Sequence, residues 1–271
     1  MYCDLPTEHT GSASRPVVRH RRGAAAAATD RIVEEFPVAL VFNGISHAVM
    51  MATPLDLEEF ALGFALTEGI VERASDVFDL EVTMHASSVE VQLTVAQEAF
   101  LKMKGQRRAM AGRTGCGVCG IESIELLDLH PDPIRVSATP AEVSAAAIER
   151  AAQELPDWQV LMRSTGGVHA AAWCARDGAV MAAFEDVGRH NALDKLIGRL
   201  ARGYTDMGDG FVFLSSRASY ELVRKAARMN IPLLATISAP TSLAIDIAQR
   251  AGMRLLSFCR QDGFVEYTAQ N

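Results

Sequence analysis

The chain has 271 residues, 49% hydrophobic and 22% charged, which is ordinary for a folded protein and excludes disordered, collagen-like and fibrous classes for the chain as a whole. That length suits one elaborate domain or two modest ones. Lys and Arg number 26 against 33 Asp and Glu, a formal net charge of −7, so there is no general electrostatic footprint for nucleic acid and an anion must find a local basic cluster.

Residues 1–28 have the composition of a disordered N-terminal tail, with Pro6, Gly11, Pro16, the basic cluster Arg19-His20-Arg21-Arg22 and alanines from 24 to 28. Residues 1–22 lack the apolar core of a secretory signal, and the most apolar runs, 37–42 and 231–237, are strand-sized rather than the ~20 residues of a bilayer span. A cytoplasmic chain without a membrane segment is expected. An α+β module over 29–138 comes next. Ile32-Val33 and 38–42 read as strands, and Asn43-Gly44 as the tight turn into a strand over 46–51. Thr53-Pro54 starts a helix with Asp56, Glu58 and Glu59 in its first turn, ending near Gly69. Residues 77–83 and 89–95 alternate as strands, 98–104 is a short helix or loop, and 106–120 is too rich in glycine for regular structure.

The second half, 139–271, has a different rhythm. Thr139-Pro140 and Glu142 open a helix that Pro156 closes. Strands at 168–174 and 179–184 flank the turn Arg176-Asp177-Gly178, and a helix near 191–202 follows. Residues 211–214, 233–237 and 255–258 are strand-like, separated by helices near 218–229 and 241–251. This alternation predicts an α/β sheet with largely parallel strands, so the fold class is α/β with a mixed α+β N-terminal module.

Of five cysteines (Cys3, Cys116, Cys119, Cys174, Cys259), an odd set that fits reduced thiols, the pair Cys116 and Cys119 stands apart in Gly115-Cys116-Gly117-Val118-Cys119-Gly120. Arg113, and Arg107-Arg108 before it, can lower a thiol pKa and favour the nucleophilic thiolate. A sulfane sulfur held on one cysteine can pass to an acceptor, or leave as sulfide when the neighbour attacks and closes a disulfide. Disulfide redox is a rival, although the motif does not open a helix. Zinc is another, but two further ligands would have to come from Cys174, Cys259, His169 or His190. Cys174 and Cys259, each ending an apolar run, behave by default as small buried hydrophobes.

A second constellation follows from topology, because ligands of open α/β sheets gather beyond the carboxyl ends of the strands. There the sequence carries Glu185-Asp186-Val187-Gly188-Arg189-His190-Asn191, Ser215-Ser216-Arg217, Pro240-Thr241-Ser242 and Cys259-Arg260-Gln261-Asp262-Gly263. Arg189, Arg217 and Arg260 suit a phosphorylated or pyrophosphate-bearing ligand. The plainer roles are a helix cap for Thr241 and Ser242, partly buried histidines for His169 and His190, and a turn for Ser164-Thr165-Gly166-Gly167. A zinc deaminase is excluded, since His-x-Glu and Pro-Cys-x-x-Cys are both absent.

At these residues the chain resembles the FdhD/NarQ family of formate dehydrogenase accessory sulfurtransferases. The matching stretches also include Leu66-Thr67-Glu68-Gly69-Ile70, Ser164-Thr165-Gly166-Gly167-Val168-His169, the extension Ala192-Leu193-Asp194-Lys195, Ala239-Pro240-Thr241-Ser242 and Phe258-Cys259-Arg260, and they run in order from about residue 30 onward. The resemblance implies a sulfurtransferase that takes persulfide sulfur from a cysteine desulfurase. It would pass that sulfur to the molybdenum cofactor, Mo-bis-molybdopterin guanine dinucleotide, before insertion into formate dehydrogenase. By the same resemblance Cys116 carries the persulfide and Cys119 assists. The cofactor-binding segment is Phe258, Cys259, Arg260, Gln261, Asp262 and Gly263. The larger domain is similar to the cytidine deaminase fold without its zinc site, and the molecule is a homodimer. The alternative from another class is a non-catalytic chaperone for the molybdenum cofactor, its cysteine pair structural or redox-active.

Overall fold

The computed structural model describes residues 10–108, 131–135, 143–260 and 262–268, which form three sheets and seven α-helices. An antiparallel hairpin comes first, β1 (Ser12–Arg21) against β2 (Ala24–Val33), turning at Arg22 and Gly23, both at positive φ. Tail composition led to the opposite expectation for these residues. Alanine is a poor strand former, but here it faces Val17, Val18 and other residues of β1 across ten register pairs.

The second sheet has the order β4-β3-β6-β5, with β3 (Phe36–Phe42), β4 (Ile45–Ala52), β5 (Val77–Met84) and β6 (Val89–Val95). Asn43 and Gly44 make the β3–β4 turn at φ 45° and 77°, as their sequence predicts. Against the inner face lies α1 (Leu57–Thr67), a helix buried on nearly every side. It begins three residues after Pro54, with Asp56 at positive φ before it. α2 (Gln97–Arg108) closes this half of the described chain.

The third sheet has the order β12-β11-β10-β9-β7-β8. β9 (Gly210–Leu214), β10 (Leu233–Thr236) and β11 (Arg254–Arg260) are parallel. β7 (His169–Ala175), β8 (Val180–Asp186) and β12 (Gly263–Glu266) are antiparallel to their neighbours. Four of the six strands, β8 to β11, thus share one direction, with α5 (Arg189–Arg202), α6 (Tyr220–Arg228) and α7 (Ser242–Ala251) as crossovers, while β7 and β12 run against them, β7 because the tight turn at 176–178 reverses the chain into β8. α3 (Ala145–Trp158) covers one face and starts at Ser144, whose hydroxyl caps the Ala147 N–H. Pro156 falls in its last turn, and α4 (Val160–Thr165) follows at once.

α5 (Arg189–Arg202) joins the two larger sheets. It crosses α1 at Gly63 and Gly198, where a Cβ would lie 1.8 Å from the Asp194 carbonyl oxygen and 1.9 Å from that of Glu59 respectively. The main buried cluster accordingly runs from Val38 through Phe60 and Leu193 to Leu255, while a second one, including Ile148, Phe211 and Cys259, lies under α3. Residues 29–138 thus share one core with the second half.

Candidate functional site

The topology brings the expected turns to one edge. The carboxyl ends of β8, β9, β10 and β11 and the start of β7 lie side by side there, with His169 opposite Asp186 and Ala171 opposite Leu214. Several of these side chains are already committed to the fold. The Asp186 carboxylate, fully buried, pairs with the equally buried Lys195 at 2.7 Å. It also accepts hydrogen bonds from the backbone N–H of Thr53 (3.0 Å) and Gly188 (2.8 Å) and from Asn191 Nδ2 (2.9 Å). Lys195 donates to the Thr53 carbonyl at 3.1 Å and Asn191 to that of Met51 at 2.8 Å. This part of the motif thus clamps α5 to the β4–α1 connection.

Asp194 and the Thr67-Glu68 pair form a second buried network that no local pattern announces. Lys225 Nζ lies 2.8 Å from Asp194 Oδ2 and 2.9 Å from both Glu68 Oε1 and Thr67 Oγ1. Thr67 donates to Asp194 at 2.8 Å, and Arg224 reaches both Glu68 oxygens at 2.9 and 3.0 Å. Burial pushes the Asp194 carboxyl above its usual range. Burial also opposes ionisation of Glu68, but Lys225 and Arg224 outweigh it and hold that carboxyl well below the usual range. No spacing rule links residue 225 to 67 or 194, so only the folded chain reveals the group.

Other edge residues have structural partners as well. Glu185 accepts from the N–H of Leu161 (2.7 Å) and Met162 (2.8 Å), capping α4 rather than waiting as a base. Thr241 caps α7 through the Ala244 N–H at 3.3 Å. Ser215 Oγ accepts from the Ala170 N–H at 2.8 Å. Ser164 and Thr165 turn back on the Leu161 carbonyl, and Gly166, at φ 69°, ends the helix, so this stretch is a turn.

What remains open is basic. Among the described residues, Arg189, the first residue of α5, has a buried Nε without a partner, and the buried His190 Nε2 makes no hydrogen bond, with Glu221 Oε2 at 3.7 Å. His169 is held below its usual pKa by burial, then by the charges of Arg189 and His190. The Glu221 carboxyl is brought down to about 2, chiefly by His190 and against burial. A partly buried guanidinium with an orphaned Nε, beside two imidazoles, suits an anion, because that donor carries a desolvation cost that such a ligand removes. Glu221 escaped the sequence reading, since 31 positions separate it from His190. Arg217 and Arg260 are exposed farther along the same edge.

Phe258, Cys259 and Arg260 stand at the end of β11, Asp262 and Gly263 at the turn into β12, and Gln261 lies outside the described residues. Phe258 is bulged, with φ 55°, and its ring is 39% exposed. Positive φ is costly for a bulky residue, and bulges re-aim side chains, so a flat aromatic face is offered at the edge. Cys259 points the other way. Its side chain is 1% exposed within the second cluster, and burial pushes its thiol up to about 11. Cys174, equally enclosed, has its thiol raised further by burial. Both therefore stay protonated and cannot serve as sulfur nucleophiles at neutral pH. Cys116 and Cys119 lie outside the described residues. β11 lies three strand spacings from β7, which carries His169, and four from β8, so a ligand touching both Phe258 and the basic cluster must span about 14–19 Å.

Comparison with known proteins gives a consistent picture. A family model described as the FdhD/NarQ family matches residues 33–271. A sulfur carrier protein FdhD from Chromobacterium violaceum is 65% identical over 259 residues, 96% of each chain. One from Acinetobacter baylyi is 49% identical over 262 residues, 97% of this chain and 95% of the other. Among solved structures, a protein from Desulfotalea psychrophila assigned as a formate dehydrogenase accessory protein superposes with a TM-score of 0.71 at 22% identity, covering 95% of this chain and 97% of that one.

Proposed function

The chain belongs to the FdhD/NarQ family, and from that premise we propose that it is a sulfur carrier serving formate dehydrogenase. It would take sulfur from a cysteine desulfurase and deliver it to Mo-bis-molybdopterin guanine dinucleotide, its acceptor substrate. The Cys116 thiolate attacks the terminal sulfur of a donor persulfide, the donor's S–S bond breaks, and the donor cysteine leaves as thiolate. An electron pair of the acceptor then attacks the outer sulfur of the Cys116 persulfide, the S–S bond breaks, Cys116 leaves as thiolate, and the sulfur stays on the acceptor, which is oxidised by two electrons. Where Cys119 attacks Cys116 Sγ instead, hydrosulfide leaves and a Cys116–Cys119 disulfide remains, which a cellular dithiol must reduce. That Cys174 and Cys259 are buried and protonated supports assigning the thiol chemistry to the CxxC pair.

The single structural observation that carries the acceptor side is the orphaned Arg189 Nε at the sheet edge beside His169 and His190, with the exposed Phe258 ring about 14–19 Å along it. Orphaned donors at one end and a flat aromatic at the other fit an elongated ligand with phosphates and planar bases.

The test is intact mass spectrometry of the protein after incubation with a cysteine desulfurase and cysteine, for wild type, Cys116→Ala and Cys119→Ala. The expected result is a gain of about 32 mass units, removed by dithiothreitol and missing from Cys116→Ala alone. No gain in any form would leave a cofactor chaperone without sulfur chemistry as the better account.

A further inference from the structure

The β4-β3-β6-β5 sheet ends on β5, and among the described residues no strand lies beyond it. The His85 N–H donates to the Ser88 carbonyl at 2.8 Å, next to the register pair of Met84 and Val89. Hydrogen-bonded pairs alternate along an antiparallel ladder, so the backbone groups of Glu81 and Thr83 face β6 while the N–H and C=O of Leu80, Val82 and Met84 point off the sheet. Among the described residues nothing bonds to those outward groups. Exposed edges are commonly blunted by lysine or proline. β5 has neither, and its only charges are Asp79 and Glu81.

A groove of about 400 Å³ opens beneath the same edge, between β5, the first half of α1 and the end of α5, with Leu62, Phe78, Leu80, Ala201 and Tyr204 in its walls. Two aromatic side chains beside it are turned outward. Phe78 sits where the β5–β6 register slips and is 68% exposed. Tyr204, just past α5, is 91% exposed and held at φ 52°, at a position that glycine ordinarily fills. Positive φ is costly for a bulky residue, and such strain gathers at ligand sites.

Charge selects the occupant. Asp79 and Glu81 lie on the outer face, with Thr94 and Gln92 as register partners and Glu90 close by on β6. Neither has an ion-pair partner among the described residues, whereas Glu58 and Arg202 at the rim of the groove neutralise each other at 2.7 Å. Leu80 and Val82, alternating with the two acids, pack toward the core. An added strand therefore meets apolar neighbours on one face and carboxylates on the other. Two β5 edges brought together would set these carboxylates against one another, so a second copy of the chain is the wrong occupant.

We propose that an extended segment of a partner protein adds to the sheet along β5, its apolar residues over the groove beside Leu80 and Val82 and its lysines or arginines beside Asp79 and Glu81. The inference is independent of the sulfur chemistry.

The probe is a fluorescein-labelled, end-capped peptide alternating valine with lysine and long enough to cover β5. The full-length protein is titrated into it and binding is followed by fluorescence polarisation, while NMR reads amide hydrogen exchange at Leu80, Val82 and Met84. Saturable binding that slows exchange of those amides is expected. Two further peptides separate the causes: N-methylation of alternate backbone amides removes the donors that face the edge, and glutamate in place of lysine reverses the charge. Each is expected to bind about tenfold more weakly or worse. In Asp79→Lys/Glu81→Lys, its fold checked by circular dichroism, the glutamate peptide is expected to bind more tightly than the lysine one. No saturable binding to wild type would overturn the proposal, including where a second copy already fills the edge. So would undiminished binding of the N-methylated peptide, unslowed exchange at Leu80, Val82 and Met84, or a lysine preference that survives in the folded charge variant. The peptide and exchange measurements need no variant, so they decide even where the charge variant does not fold.

Discussion

Glu221 shows how one carboxylate records its surroundings. Held at about 2 by His190 against an ordinary value of 4.5, it is ionised in the folded state at pH values where the unfolded chain has already taken up a proton. Its stabilising contribution is therefore complete above about 4.5 and is lost as the pH falls through that value toward about 2. Urea denaturation across this window should show wild type losing stability more steeply than Glu221→Gln, with the two converging at the acid end. Parallel curves would mean that the His190 contact contributes nothing. Asp194 acts in the opposite sense, since its raised pKa makes the folded state take up a proton before the unfolded one, so only the difference between the two proteins isolates Glu221.

At the scale of elements, the crossing of α1 and α5 yields a prediction whose sign is informative. In an isolated helix Gly→Ala is stabilising by about 1 kcal/mol. At Gly63 and Gly198, however, the new methyl carbon would fall 1.8 and 1.9 Å from a backbone oxygen of the facing helix. Forcing the helices apart is expected to cost about 1–3 kcal/mol or more, read as a lower melting temperature for each single variant. A rise in either would show that the contact yields easily.

The elements also show what was legible beforehand. Strands β3 to β8 and helices α1 and α5 to α7 announced themselves through alternation, helical period and the turns at Asn43-Gly44 and Arg176-Asp177-Gly178, because their signals are local. The hairpin did not, because five successive alanines have no period and only their partners across the ribbon make them a strand. The edge of the sheet was foreseeable from strand order, and Arg189, His169 and His190 were each noticed there. What the sequence could not tell is which motif residues are spent on the fold. Glu185, Asp186, Asn191 and Lys195 look as chemical as Arg189, and only their hydrogen-bond partners separate clamps from open groups.

For the molecule as a whole, the shared core matters most. α1 is sheltered on one side by its own sheet and on the other by α5, so the described residues of 29–138 leave that second side uncovered. Expressed alone, that segment should show no cooperative thermal transition and should bind a hydrophobic dye, while co-expression with 139–271 should restore a folded complex. A sharp transition in the isolated segment would disprove the dependence.

The same arrangement has a consequence for biosynthesis. The last residue of α1 is made 122 residues before the first residue of α5, roughly 6–24 s at ordinary translation speeds. Through that interval the Gly63 notch lacks the α5 backbone that fills it. Slower translation of the second half is therefore expected to lengthen the exposure of that α1 face and to lower the yield of folded protein.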